Sequence, residues 1–329
     1  MKNRYFPVFS LLVSALCSSL AWSAGLTIYT YDSFVSEWGP GPKLEKLFEQ
    51  QCQCDIKFIA AEDGVSILNR LRIEGDATKA DVLLGIDDAL MATAQRENLV
   101  KPHSLKLPSL VKALDWQDNL FVPFDYGYFA FVYDSTKINQ PATSLKGLIE
   151  SDASVIYQDP RTSTPGQGFM IWVNQVYGNG AEAAWQKLAK HTVTVTKGWW
   201  EAYSLFLQGD ADYVLSYSTS PAYHVVAENK HQYKAAEFTE GHIMQVEVAA
   251  LTRTAKNTEL AQSFLAFLLT PEAQKIIATG NWMLPVIDGI ELPAIFSQLI
   301  KPVKLDYDAP GFSENRAQWA KQWRAAASK

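Results

Sequence analysis

The sequence predicts an α/β protein of two doubly wound lobes joined by crossing strands, and three observations carry that expectation. Strand-like apolar runs alternate with amphipathic helix-like runs in both halves of the chain, the order that builds parallel sheets covered by helices. Once residues 1–24 are set aside, about three hundred residues remain, more than one core holds comfortably. Two long strand-like stretches, Phe121–Asp134 and His242–Leu251, stand where a chain would leave one body and return to it.

The first of these stretches organises the rest. Tyr126, Tyr128, Ala130 and Val132 fall on one face, and Phe129, Phe131 and Tyr133 on the other, a period of two. Both faces are therefore expected to be covered. Pro123 has no N–H for a central ladder, and Gly127 marks a bend or a close backbone approach, so the strand should kink near its start. An ordinary core strand of a single domain is the alternative. The expected division is 25–124 for the first lobe, 125–241 for the second, and 242–329 for the return strand and C-terminal helices of the first.

Lys2 and Arg4 precede an apolar run to about Leu20 and then small residues, the layout of a cleavable export signal over 1–24. Cleavage after Ser23 fits as well as cleavage after Ala24. The apolar run is shorter than the roughly 20 residues that span a bilayer, which disfavours a retained anchor, and Leu16 poorly suits lipidation at Cys17. A soluble exported protein is the expectation. Net charge is −6, and loss of Lys2 and Arg4 takes it to −8; such a surface disfavours nucleic acid and tolerates a cationic ligand. Cys52 and Cys54 survive export, and their C-x-C spacing leaves a tight disulfide or two structural thiols open.

In the first lobe, Leu26–Tyr31 reads as a strand, followed by the turn-rich Trp38-Gly-Pro-Gly-Pro42 and a helix that Pro42 can start. Cys54–Ala60 and Ala80–Gly85 are further strands, the latter apolar enough to be buried on both faces. Between them, Glu62-Asp-Gly64 precedes an apolar-periodic helix. Ligands of doubly wound domains collect at the carboxyl ends of strands, which makes Tyr31, Trp38, Asp63 and Gly64 candidates by position. Core packing for the rings, and a helix cap for Asp63, are the competing roles.

In the second lobe, a strand ends at Tyr157 and the loop Gln158–Gly168 follows. Ser163 or Thr164 can cap the helix that Pro165 begins, and such a terminus suits a phosphate or carboxylate; a plain cap is the alternative. The loop has neither the Gly-Lys-Ser/Thr of a Walker motif nor G-x-G-x-x-G. Trp199, Tyr217 and Tyr223 lie at or just after predicted strand ends. Together with Tyr31 and Trp38 they make a candidate cage, since ring faces attract a delocalised cation and stack on a flat heterocycle. After the return strand come two helices, then Trp282 between glycine and proline, and a last helix whose Trp319 and Trp323 lie four apart for packing.

The five histidines show no metal spacing, no G-x-S-x-G elbow occurs, and neither cysteine lies at a strand's carboxyl end. Recognition is the chemistry on offer. Two lobes with long crossings and an export signal describe a clamshell receptor that hinges shut on its solute.

The segments Tyr29-Thr-Tyr-Asp-Ser-Phe34, Trp38–Pro42, Glu62–Ser66, Tyr157–Gly166, Thr194–Trp199, Leu215-Ser-Tyr217, Thr219–Tyr223 and Gly280–Trp282, with the hinge strand, resemble the periplasmic thiamine-binding proteins of bacterial ABC importers. The resemblance spans nearly the whole mature chain. It implies a monomeric receptor for thiamine and its phosphates that delivers to ABC permease subunits, with no cofactor or metal. It also implies that Tyr31, Trp38, Trp199, Tyr217, Tyr223 and Trp282 enclose the vitamin, that Asp63, beside Gly64, faces its charged part, and that Ser163 and Thr164 lie at the phosphate end. A ferric-ion or polyamine receptor, and a thiamine-cleaving enzyme, are the alternatives.

Overall fold

The computed structural model describes residues 25–327, so the expected export signal lies outside the described residues. In chain order the strands are β1 (Gly25–Tyr31), β2 (Asp55–Ala61), β3 (Val82–Asp87), β4 (Val100–Lys101), β5 (Phe121–Asp134), β6 (Val155–Gln158), β7 (Thr192–Thr196), β8 (Tyr213–Tyr217), β9 (Tyr233–Ala235), β10 (Met244–Thr252) and β11 (Leu284–Pro285). Their main order is β2-β1-β3-β10-β5-β8-β6-β7. β1 pairs in parallel with β2 and β3, and β6 with β7 and β8. Every residue of β3 is buried, as a parallel strand covered on both faces requires.

β5 runs through both halves of this arrangement. Its residues from Phe121 to Tyr128 pair with β10, and those from Phe129 to Asp134 pair with β8 and β9. The register skips Phe124 where Val248 faces Pro123, so the expected kink is a bulge that spares the proline a ladder bond. A second irregularity skips Gly85 of β3, which has φ +95°. A Cβ there would sit 2.2 Å from the Tyr31 ring; glycine both permits the conformation and makes room for that ring.

Two large apolar clusters flank the crossing. One gathers Ile28, Leu83, Phe124, Val248 and Phe264, and the other Phe131, Tyr157, Phe169, Trp172 and Trp185. The helix Ala309–Ala327 departs from expectation. Its buried Phe312, Trp323 and Ala326 join the second cluster, and Trp323 Nε1 donates to the Tyr157 hydroxyl at 3.1 Å. The aromatic core around Tyr157 offers these rings a partner, whereas helical periodicity says only that one face is apolar, not which lobe receives it. The helix also touches the opposite side, where Arg96 Nη1 donates to Ser313 Oγ at 3.0 Å.

Cys52 and Cys54 are joined as a disulfide with Cα atoms 5.2 Å apart. The enclosed loop is so short that chain entropy assigns the bridge only about 1.6 kcal/mol. Replacing both cysteines by serine is expected to lower the melting temperature by a few degrees and leave ligand affinity unchanged, as thermal melts and titrations of both forms will show.

Candidate functional site

The carboxyl ends of β1, β2 and β8 and the starts of several helices surround a cleft. Seven of the ten candidate residues line it: Tyr31, Trp38 and Asp63 from one side, Trp199, Tyr217 and Tyr223 from the other, and Trp282 from the loop before β11. Gly64, Ser163 and Thr164 are not among the lining residues and sit behind Asp63. Gly64 is packed so tightly that an added Cβ would lie 2.7 Å from Thr164 Cγ2.

Asp63 has two tasks. It caps the helix Gly64–Glu74, accepting from the Gly64 N–H at 2.7 Å. It also accepts the Ser163 hydroxyl at 2.7 Å and the Thr164 hydroxyl at 2.9 Å from across the cleft. Both residues start the helix Thr164–Tyr177, with Ser163 Oγ accepting in turn from the Gly166 N–H. The anion-favouring end of that helix thus faces the Asp63 carboxylate. Burial pushes Asp63 upward in pKa, while the Ser163, Gly64 and Thr164 donors oppose that shift. The contact continues where the Ser66 N–H and hydroxyl both donate to the Thr162 carbonyl at 3.1 Å.

The rings form a wall and a mouth. Trp199 stacks on Tyr203 with centroids 5.0 Å apart and donates its indole N–H to Ser216 Oγ at 2.7 Å. Trp38 reaches across to Trp199 and Trp200, at 6.4 and 4.8 Å between centroids. Since Trp38 and Trp200 are 36% and 41% exposed, this pair stands at the entrance. Tyr223 meets Trp282 edge-on at 5.8 Å. Trp282 holds φ +57°, rare for a bulky side chain.

The floor is acidic. The Tyr31 hydroxyl donates to Glu247 Oε2 at 2.7 Å, and Asn281 Nδ2 donates to Asp125 Oδ2 at 2.6 Å. Burial raises both carboxyls, Asp125 to about 7 and Glu247 well above its ordinary range with Asp125 adding to the effect. An enclosed cleft with aromatic walls, an entrance of indoles and carboxyls at its back suits a flat cation.

The family model described as bacterial extracellular solute-binding protein matches residues 42–279. The chain belongs to this family of bacterial extracellular solute-binding proteins. It is 53% identical over 307 residues to a protein of Escherichia coli K12 named thiamine-binding periplasmic protein, covering 92% of this chain and 94% of that one. A protein of the same name from Salmonella typhimurium LT2 is 51% identical over 333 residues, covering all of both chains. A solved structure titled periplasmic thiamin binding protein superposes with TM-score 0.89 at 52% identity, covering 93% of this chain and 97% of that one. The two-lobed architecture is that of the periplasmic solute-binding proteins, and no helix among the described residues is long and apolar enough to cross a membrane.

Among the lining residues of this solute-binding protein's cleft that sequence reasoning missed are Trp200, Glu247, Asn281 and Glu62. Glu247 carried a signal, being the one charge in the apolar run Met244–Leu251, where an unpaired carboxylate is costly. Asn281 stands beside Trp282, and Trp200 beside Trp199, so neighbours of candidate residues were the places to look.

Proposed function

We propose that this solute-binding protein captures thiamine and its phosphate esters in the periplasm and delivers them to the membrane subunits of an ABC importer. The observation that carries the reading is the cleft itself, where six candidate rings from both lobes surround one space closed off by Asp63. The names of the relatives at about half identity agree with it. In this reading the flat aminopyrimidine and the thiazolium cation lie among Tyr31, Trp38, Trp199, Tyr217, Tyr223 and Trp282. Asp63 supplies negative charge, and the tail points toward Gly64, Ser163 and Thr164 at the helix start, where a phosphate would take over hydroxyls that now donate to Asp63.

The protein acts as a binder in this reading, with Cys52 and Cys54 tied to each other and absent from the cleft lining. Calorimetric titration of the mature chain with thiamine, its monophosphate and its diphosphate is expected to give saturable one-to-one binding. Prolonged incubation with thiamine is expected to release no free pyrimidine. Lack of saturation with all three ligands would overturn the reading, and pyrimidine release would make the protein an enzyme.

A further inference from the structure

Asp125 and Glu247 stand opposite each other in register on β5 and β10, the two strands that meet at the crossing between the lobes. Their exposures are 0% and 5%. Glu247 lines the cleft and Asp125 lies behind it. Every hydrogen-bond partner of the two carboxyls among the described residues is neutral. Tyr31 from β1 donates to Glu247 Oε2, Gln245 Nε2 donates to Glu247 Oε1 at 3.2 Å, and Asn281 Nδ2 lies 2.6 Å from Asp125 Oδ2 and 3.1 Å from Glu247 Oε2. Asp125 Oδ1 is buried without a partner. The titratable groups around the pair are Tyr31 on β1, Tyr217 on β8 and Asp63 at the head of the helix Gly64–Glu74, none of them cationic.

Two adjacent buried carboxylates without a cation are strongly disfavoured, and the usual resolution is that one of them keeps a proton. One Asn281 amide cannot satisfy both anions, and an unpartnered Asp125 oxygen is a natural acceptor for an O–H from Glu247. A cation in the cleft changes that balance, because Glu247 is then the carboxyl nearest the new charge.

We propose that Asp125 and Glu247 share one proton before the ligand arrives and release it to water when a cationic ligand enters, so that the pair is a specificity-determining counter-ion. The proposal rests on the reading that the ligand is a cation of the thiamine class. On binding, the shared O–H bond breaks, the proton leaves as hydronium or to buffer, and the pair gains one negative charge against the ligand's positive one. A neutral ligand of the same shape gains nothing from this exchange. The sign follows from linkage: burial raises the pair's affinity for a proton and the bound cation lowers it. Affinity for the cation therefore falls as the medium is acidified through the range in which the pair takes up its proton.

Thiamine titrated into the mature chain near neutral pH, in buffers of different ionisation enthalpy, tests this. The observed enthalpy is expected to vary with the buffer and report release of a large fraction of one proton. Kd is expected to rise by up to about tenfold per pH unit on acidification. Glu247→Gln keeps the shape and is expected to remove the buffer dependence, which also separates this pair from Asp63 as the proton's source. Tight binding with a buffer-independent enthalpy, or the same proton release in Glu247→Gln, overturns the proposal. A second readout needs no ligand: the infrared carbonyl band of a protonated carboxyl should be present in the ligand-free protein at neutral pH and lost in Glu247→Gln or Asp125→Asn. If that band is present and thiamine does not bind, the thiamine reading fails and the shared proton stands. If the band is absent, the shared proton fails even where thiamine binds tightly.

Discussion

Trp199→Ala is expected to weaken thiamine binding by at least tenfold, about 1.4 kcal/mol. The indole is held on both sides before any ligand reaches it, by its stack on Tyr203 and by the N–H bond to Ser216. A ring fixed in this way offers its area with little further loss of side-chain freedom, which is the condition under which burial converts into affinity. The loss should appear mainly as faster dissociation. Trp199→Phe keeps an aromatic face and loses the bond to Ser216, so its loss should be the smaller of the two. The helix Trp199–Gln208 has no side-chain cap at its start, and truncation at its first residue should leave the melting curve close to that of the parent. Titration curves indistinguishable from the parent's for both variants would take Trp199 out of the cage.

Much of the architecture was legible because it is written in local periodicity. The alternation from Tyr126 to Tyr133 marked the crossing strand, and Pro123 marked where its register breaks. The helix after Ser163 announced itself by a cap and a proline. Five of the candidate rings follow from one rule, that α/β folds present ligands at the carboxyl ends of strands, Trp282 came from the family resemblance, and the cleft gathers all six. What local pattern cannot carry is a partner's identity. Phe312 and Trp323 advertise an apolar helix face, yet only the three-dimensional arrangement shows that Tyr157 and its neighbours receive it. Asp125 and Glu247 are more than a hundred residues apart, and their meeting depends on the register of β5 against β10, which is interrupted by a bulge right beside them. Each was visible as an acid inside a strand that had to be buried, which poses a question about charge without naming the answer.

Asp63→Ala should show the second large effect, a loss of thiamine affinity of at least tenfold with a measurable loss of stability. Cap or ligand contact was the choice the sequence left open, and the geometry makes the two compatible, since Oδ1 accepts from both the Gly64 N–H and the Thr164 hydroxyl. Truncation removes the acceptor of the Ser163 hydroxyl as well. Hydrogen bonds to a charged group contribute about 1.5–3 kcal/mol each, and a lost helix cap costs roughly 1 kcal/mol, so the melting temperature should fall even without ligand. Asp63→Asn separates the remaining causes. Its side chain matches the shape and retains an oxygen for one hydroxyl, but carries no charge and turns an N–H group toward the other. If affinity depends on closing the lobes through Ser163 and Thr164, asparagine should recover part of what alanine loses. If it depends on negative charge facing a thiazolium ring, the two variants should lose affinity alike, and added salt should weaken the parent more than either of them. Parent-like affinity in both would show that Asp63 is a cap alone, and the counter-charge in the cleft would then have to come from Glu247.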